Sequence, residues 1–204
     1  MHILYFHQHF STPKGTGGTR SYELARRLIR RGCTVTMVCG TNLRAMSADD
    51  GLRTGQVRES RVDGIRVVEI VLPYSNYDGL IKRTVTFLRY ALAGIRLALR
   101  EDYDLLFATS TPLTAGIPGI AAKVLRRKPF VFEVRDLWPE LPKAMGVIGN
   151  PLILGMLSLL EWSSYRASDG CVALAPGIAE GVRRRSRSDH PICVVPNGCD
   201  LDLF

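Results

Sequence analysis

The chain has 204 residues, 46% of them hydrophobic, and a formal net charge of +8. That is long enough for one sizeable core and too apolar for a disordered segment. The charge is lopsided, with 16 Lys and Arg against 7 Asp and Glu in residues 1–100 and 11 against 12 in the rest, so an anionic partner such as phosphate or lipid headgroups suits the first half. No helix-turn-helix pattern, zinc finger or aromatic RNA-binding strand pair is present, which argues against nucleic acid. The cysteine count is odd at 5 and no pair has CxxC spacing, which points to a reducing compartment without a disulfide framework or zinc site. The first residues lack the charged and apolar regions of a secretory leader.

In chain order, residues 2–7 read as a strand and 21–31 as a helix, with Tyr22, Leu24, Ala25, Leu28 and Ile29 on one side and Gly32 as its stop. Strands are expected at 33–39, 64–70, 104–108, 129–134, 170–174 and 192–195. Helices are expected at 80–100, from Pro112 to about 127, at 152–166 and at 176–185, with 40–62 as a polar, mobile loop. Alternating helices and continuously apolar strands predict an α/β fold: a Rossmann-like parallel sheet with helices on both faces. Ligands of such sheets bind beyond the C-terminal strand ends, so the polar residues there are the candidates.

The first such loop is Lys14-Gly-Thr-Gly-Gly-Thr-Arg20, which leads straight into a helix. Backbone N–H groups and the helix dipole can face a phosphate at such a place, although glycines can also serve only the turn. A dinucleotide-binding fingerprint does not fit. Eight residues separate His7 from Thr16, the spacing is G-x-G-G, and Cys39-Gly-Thr-Asn42 offers no acid for a ribose. His7 and His9 form an H-x-H pair that alternation would place on one face, but no third metal ligand is apparent.

Six pieces in a fixed order resemble the N-terminal domains of family 4 retaining glycosyltransferases along nearly the whole chain. They are Tyr5-Phe-His-Gln-His-Phe10, Gly17-Gly18, Leu28-Ile-Arg-Arg-Gly32, Glu133-Val-Arg-Asp-Leu-Trp-Pro-Glu140, Glu161-Trp-Ser-Ser-Tyr-Arg-Ala-Ser-Asp169 and Val194-Val-Pro-Asn-Gly-Cys-Asp200. The subset with Asp-Leu-Trp-Pro-Glu resembles transferases that build bacterial surface polysaccharides on lipid carriers. The resemblance implies one half of a GT-B enzyme, in which residues 1–204 form the acceptor-binding domain. The C-terminal donor-binding domain is absent from this chain, so a fragment or a split subunit is expected, incomplete as a catalyst by itself.

The resemblance also assigns residues. Gly17 and Gly18, with Lys14 adding charge, would approach the donor diphosphate, whereas Arg20 reads as a solvated surface cation. Arg135, Asp136 and Glu140 are the catalytic candidates. Many relatives carry a His where Arg135 falls, and an arginine cannot act as a base near neutral pH, so its role would be to stabilise the departing phosphate. Asp136 and Glu140 would orient the acceptor hydroxyl, with helix capping or a loop ion pair as the structural alternative. His9, Ser110, Thr111 and Trp138 would contact the acceptor, Trp138 alternatively packing in the core, and Asn197-Gly198 reads as a turn. No metal or cofactor is implied; the donor would be a nucleotide sugar, most simply a UDP-sugar.

In residues 80–100 an apolar face is interrupted by Lys82, Arg83, Arg89, Arg96 and Arg100. These charges exclude a spanning helix and fit one lying on an anionic membrane, with Lys82, Arg83 and Arg89 facing it. The alternative is a helix that simply covers the sheet. Residues 151–160 are apolar but too short to span, which leaves docking on the membrane or packing inside as the two expectations. The resulting expectation is a cytoplasmic enzyme domain, peripheral at the inner face of the plasma membrane, that transfers sugar to a lipid-linked saccharide. The competing expectations are a non-catalytic recruiting subunit with a separate donor-domain partner, and a nucleotide-binding module of other use.

Overall fold

The computed structural model describes residues 1–15, 17–41, 54–75, 77–186 and 191–198. Thr16 of the glycine loop, most of the expected 40–62 loop, Cys199 and Asp200 lie outside the described residues. The elements in order are β1 (His2–Phe6), α1 (Arg20–Arg30), β2 (Thr34–Gly40), β3 (Val57–Val62), β4 (Ile65–Ile70), α2 (Leu80–Arg100), β5 (Leu105–Thr109), α3 (Gly116–Arg126), β6 (Phe130–Val134), α4 (Glu140–Ala144), α5 (Pro151–Ala167), β7 (Gly170–Ala173), α6 (Pro176–Ser186) and β8 (Ile192–Val194). A single 3-10 turn, Leu113–Ala115, precedes α3. Together they form an α/β domain on one sheet of order β3-β4-β2-β1-β5-β6-β7-β8.

Seven strands are parallel and β3 alone runs antiparallel, against β4. Part of the expected mobile loop is therefore this edge strand, held to β4 by a backbone ladder and an Arg58–Glu69 ion pair of 2.5 Å. The segment reads Val-Arg-Glu-Ser-Arg-Val, which is polar on both faces as an edge strand tolerates.

Alternation along β1 sends Leu4 and Phe6 to one face and Ile3 and Tyr5 to the other. Buried residues of α2, α3, α5 and α6 pack with Leu4 and Phe6, around Phe130, Phe132 and Tyr165. On the other face, among the described residues, α1 is the helix that packs, against β2 and β4. Helices thus lie on both faces, as expected, while Leu105, Val131 and Val172 on the α1 face of β5, β6 and β7 stay partly exposed. From β1 the chain steps outward to β2 on one side and later to β5 on the other, so the order reverses between β1 and β5. Crevices form at such reversals, and here it is flanked by the C-terminal ends of β1, β5 and β6.

Candidate functional site

Buried polar side chains meet at that reversal. β1 ends at Phe6, and the next residues turn back, with Phe10 N donating to His7 O at 3.2 Å. Strand alternation therefore stops before the two histidines, and their rings take different partners. His7 is buried. Its Nδ1 lies 2.6 Å from Ser21 Oγ at the start of α1, and its Nε2 lies 3.4 Å from Nη1 of Arg135. Burial, then the Arg135 charge and His9, hold the His7 pKa well below its ordinary value, so the ring is neutral at pH 7. An arginine only donates, so His7 Nε2 accepts and Nδ1 carries the proton toward Ser21. Arg135 is fixed a second time by its backbone N–H, which donates to Ser110 Oγ at 2.9 Å.

Beside it runs a second network. Glu133, a lone acid in the apolar strand β6, has a fully buried side chain, and Arg20 Nε donates to its Oε1 at 2.8 Å. The rest of the Arg20 guanidinium holds the chain after β8: Nη2 donates to Val195 O and Nη1 to Pro196 O, both at 2.8 Å, with Asn197 Oδ1 at 3.4 Å. The expectation that Arg20 is a solvated cation is thus overturned, because a carboxylate buried beneath it demands a partner. Among the described residues, Glu133 Oε2 has no hydrogen-bond partner. Between the two networks opens a cavity of about 330 Å³ lined by Gly18, Arg20, Arg27, Arg135, Asn197 and Gly198, among others. With Arg20 paired to Glu133, Arg27 and Arg135 against Glu23 on its wall still favour an anion.

The expected site residues divide. Gly18 and Arg135 line one cavity, while Lys14 is exposed and not on its wall. Gly17 N donates to Ser11 Oγ at 3.3 Å, and a Cβ there would meet Ser11 Cβ at 2.9 Å, whereas one on Gly18 would meet nothing within 4 Å. Ser110 is buried under the Arg135 amide, and Thr111 is half-buried. Asp136 is half-buried and Glu140 exposed in the first turn of α4, neither on the cavity wall. Trp138 packs against the core, its backbone N–H donating to Glu161 Oε1 at 2.8 Å. His9 lies apart from the cavity, its ring 4.8 Å from Tyr74 and 6.1 Å from Phe87, with Arg83 over Tyr74 at 5.9 Å. Burial, Arg83 and Arg135 lower the His9 pKa to about 4. Arg83 therefore folds against aromatic rings, while Lys82 pairs with Asp78 at 2.7 Å and Arg89 is exposed.

Sequence reasoning did not single out Glu133, Ser21, Arg27 or Glu161, gave His7 no role, and read Asn197 as a simple turn. A lone acid within Phe-Val-Phe-Glu-Val was the available signal for Glu133. Among the described residues no group of three His, Cys, Asp or Glu is placed to hold a metal ion.

By structure, the chain is similar to sucrose-phosphate synthase of Thermosynechococcus elongatus, with TM-score 0.69, 16% identity and coverage of 100% of this chain and 49% of that one. It is similar to the catalytic domain of starch synthase IV from Arabidopsis thaliana bound to ADP and acarbose, with TM-score 0.62, 14% identity and coverage of 98% and 52%. Anabaena HepE in complex with UDP-glucose gives TM-score 0.53, 16% identity and coverage of 100% and 46%. The chain thus spans about half the length of these solved proteins. No curated protein matches it by sequence. The glycosyl transferase 4-like domain matches residues 15–198, from the glycine loop to the Asn-Gly turn, and the chain belongs to that family.

Proposed function

We propose that this chain is the acceptor-side half of a retaining glycosyltransferase, moving a sugar from a nucleotide diphosphate sugar to a lipid-linked saccharide in cell-surface polysaccharide synthesis. The observation that carries this reading is the arginine-lined cavity where Gly18, the start of α1 and Arg135 converge at the strand-order reversal. A donor diphosphate held by a facing domain or partner subunit would enter against Gly17 and Gly18, with the exposed Lys14 adding charge. HepE holds UDP-glucose and starch synthase IV holds ADP. By analogy of fold a nucleoside diphosphate, UDP in the simplest case, suits this cavity.

In the step itself the bond from the sugar C1 to the diphosphate oxygen breaks, and a bond from C1 to the acceptor oxygen forms on the same face. The acceptor proton passes to the departing phosphate oxygen, so no protein nucleophile and no metal is required. Arg135, pinned by His7 and Ser110, stabilises the negative charge growing on the leaving group. Asp136 and Glu140 would orient the acceptor hydroxyl and the half-buried Thr111 would line its path, whereas the buried Ser110 acts through Arg135, Trp138 serves the core and His9 stands apart from the cavity. Of the α2 cations Lys82, Arg83 and Arg89, the exposed Arg89 and the Asp78-paired Lys82 would face an anionic membrane at the inner face of the plasma membrane, while Arg83 is turned onto Tyr74. Among the described residues no helix is long and apolar enough to cross a membrane.

A second reading, a non-catalytic subunit that recruits a donor-domain partner to the membrane, is favoured by the apolar side chains left exposed on α2 and α5. Calorimetric titration of the 204-residue chain with UDP and UDP-N-acetylglucosamine tests the domain assignment. Weak, non-saturating heat is expected, followed by sugar transfer to a lipid-linked acceptor once a donor-binding half is supplied. Tight saturable binding by the chain alone would overturn it. Retained transfer with Arg135→Ala in the reconstituted pair would favour the recruiting subunit.

A further inference from the structure

Between Lys143 and Glu161 the chain runs seventeen residues, 144–160, without a charge. In a water-soluble fold such a stretch is normally buried. Here it runs from the end of α4 through a turn into the first half of α5, where Leu157 and Leu160 pack against the core and the other face is open. The buried residues of α5 all lie in its second half, at Glu161, Ser164 and Tyr165. The first half exposes Leu152 at 73%, Met156 at 65% and Leu159 at 61%, and Met145 and Val147 stand exposed on the turn before it.

Part of the turn's backbone is satisfied within the chain. The N–H groups of Gly146, Val147 and Ile148 donate to carbonyls of Lys143 and Pro142, and Asn150 Oδ1 accepts from Leu152 N at 2.9 Å and Ile153 N at 3.4 Å. Pro151 has no N–H to satisfy. Internal satisfaction of this kind is what a hydrocarbon medium demands.

The polar boundary is equally defined. Trp162 is half-exposed at the base of the apolar run, and a surface cavity of about 510 Å³ beside it is lined by Gly155, Ser158, Leu159, Trp162, Arg184 and Arg185. Two acids face these arginines: Glu180, 3.5 Å from Arg184, and the buried Glu161, 3.1 Å from Arg185, so Arg184 carries the more available charge. From Leu152 to Trp162, at ~1.5 Å per residue, α5 rises ~15 Å, half of a hydrocarbon core of ~30 Å. Tryptophan belongs at the membrane interface and arginine at the phosphates.

We infer that the turn after α4 and the first half of α5 insert into one leaflet of an anionic bilayer, with Leu152, Met156 and Leu159 among the acyl chains, Trp162 at the interface, and Arg184, beside the Glu161-bound Arg185, on a lipid phosphate. This deepens the membrane side of the proposed function and rests on it. It also adds a mechanical link. The buried Glu161 carboxylate at the base accepts from the Trp138 amide at 2.8 Å and from Arg185 at 3.1 Å, tying the inserted helix and the phosphate groove to the Asp136–Glu140 loop.

The test is flotation with vesicles of 70% phosphatidylcholine and 30% phosphatidylglycerol, which contain neither donor nor acceptor. Leu152→Glu with Met156→Glu, both at exposed positions, should lower partition at least tenfold with an unchanged unfolding midpoint. Arg184→Glu should lower it several-fold on these vesicles and leave the weaker binding to pure phosphatidylcholine unchanged. Flotation of the double variant at the native level would overturn the inference. So would a wild-type dimer in solution that the double variant splits, because this segment would then be a contact between copies. Transfer to a water-soluble acceptor by a reconstituted enzyme should survive the double substitution. Absent transfer with intact flotation would defeat the proposed function alone.

Discussion

Two glutamates are buried in this molecule, and each is held by an arginine. Glu133 in β6 meets Arg20 at 2.8 Å, with side-chain exposures of 0% and 12%. Glu161 in α5 meets Arg185 at 3.1 Å, with exposures of 4% and 38%. Glu161 is closed on itself: Oε1 accepts from the Trp138 amide and the Tyr165 hydroxyl, and Oε2 from Arg185. Glu133 is open, with Oε2 unpartnered among the described residues, and its arginine reaches on to the carbonyls after β8 and to a cavity wall. The same pair of residue types therefore serves two ends. One braces a loop and helix; the other leaves polar capacity beside a cleft, as ligand sites do.

The largest expected difference lies in removing the arginines. Arg20→Ala leaves a fully buried carboxylate unpaired and should cost about 3–5 kcal/mol in urea unfolding. Arg185→Ala should cost clearly less, because that pair is more exposed and Glu161 keeps two other donors. Equal costs would erase the contrast. A double-mutant cycle on Arg20 and Glu133 should return a coupling that the Arg185–Glu161 cycle does not match.

The pH dependence comes next. Folded His9 titrates at about 4 and His7 well below 6.5, while both would take up protons near 6.5 when unfolded. Between these values the unfolded state binds more protons, so stability is full above about pH 6.5 and falls as the pH drops toward 4, by up to about 3 kcal/mol for His9. Glu161 pulls the other way: burial raises its pKa, so acidification relieves rather than strains that site. The turn after β1, which carries both histidines, is thus the acid-sensitive region. His9→Phe should flatten the decline measured by thermal unfolding from pH 7 to 4; an unchanged slope would remove His9 as its source.

Glu161→Gln should cost about 1–3 kcal/mol, since one carboxylate oxygen becomes a donor facing Arg185. It should also loosen the Asp136–Glu140 loop, read as faster amide exchange at Trp138. Loosening near Arg135 of similar size would mean that the two networks are one.

How much of this was legible in the sequence follows the range of each interaction. The strands and helices of the parallel sheet were readable because apolar periodicity is local. Thus α2 shows the same bounds in the sequence and in the fold. β3 was missed because its apolar residues sit only at its ends and β4 supplies its register. The Arg20 clamp was missed because its carbonyl partners lie 175 and 176 residues away, and no window around Arg20 contains them. The glycine loop was singled out from its place between a strand and a helix and Arg135 from motif order, yet what holds Arg135, His7 just after β1 and Ser110 just after β5, is visible only once three strands lie side by side.

The smallest expected effect on stability carries the sharpest test of the cleft. Gly17 and Gly18 are adjacent, but only Gly17 is packed: a Cβ there would press on Ser11 at 2.9 Å, while one on Gly18 would enter open space. Gly17→Ala should therefore destabilise the loop itself, whereas Gly18→Ala should change stability by less than about 0.5 kcal/mol. Nothing within the described fold forbids a methyl group at Gly18. If a diphosphate approaches that backbone in the assembled enzyme, Gly18→Ala should raise KM for the nucleotide sugar at unchanged stability. Native kinetics for Gly18→Ala would mean that the cavity takes its anion through the arginines alone, and the glycine would belong to the turn rather than to the ligand.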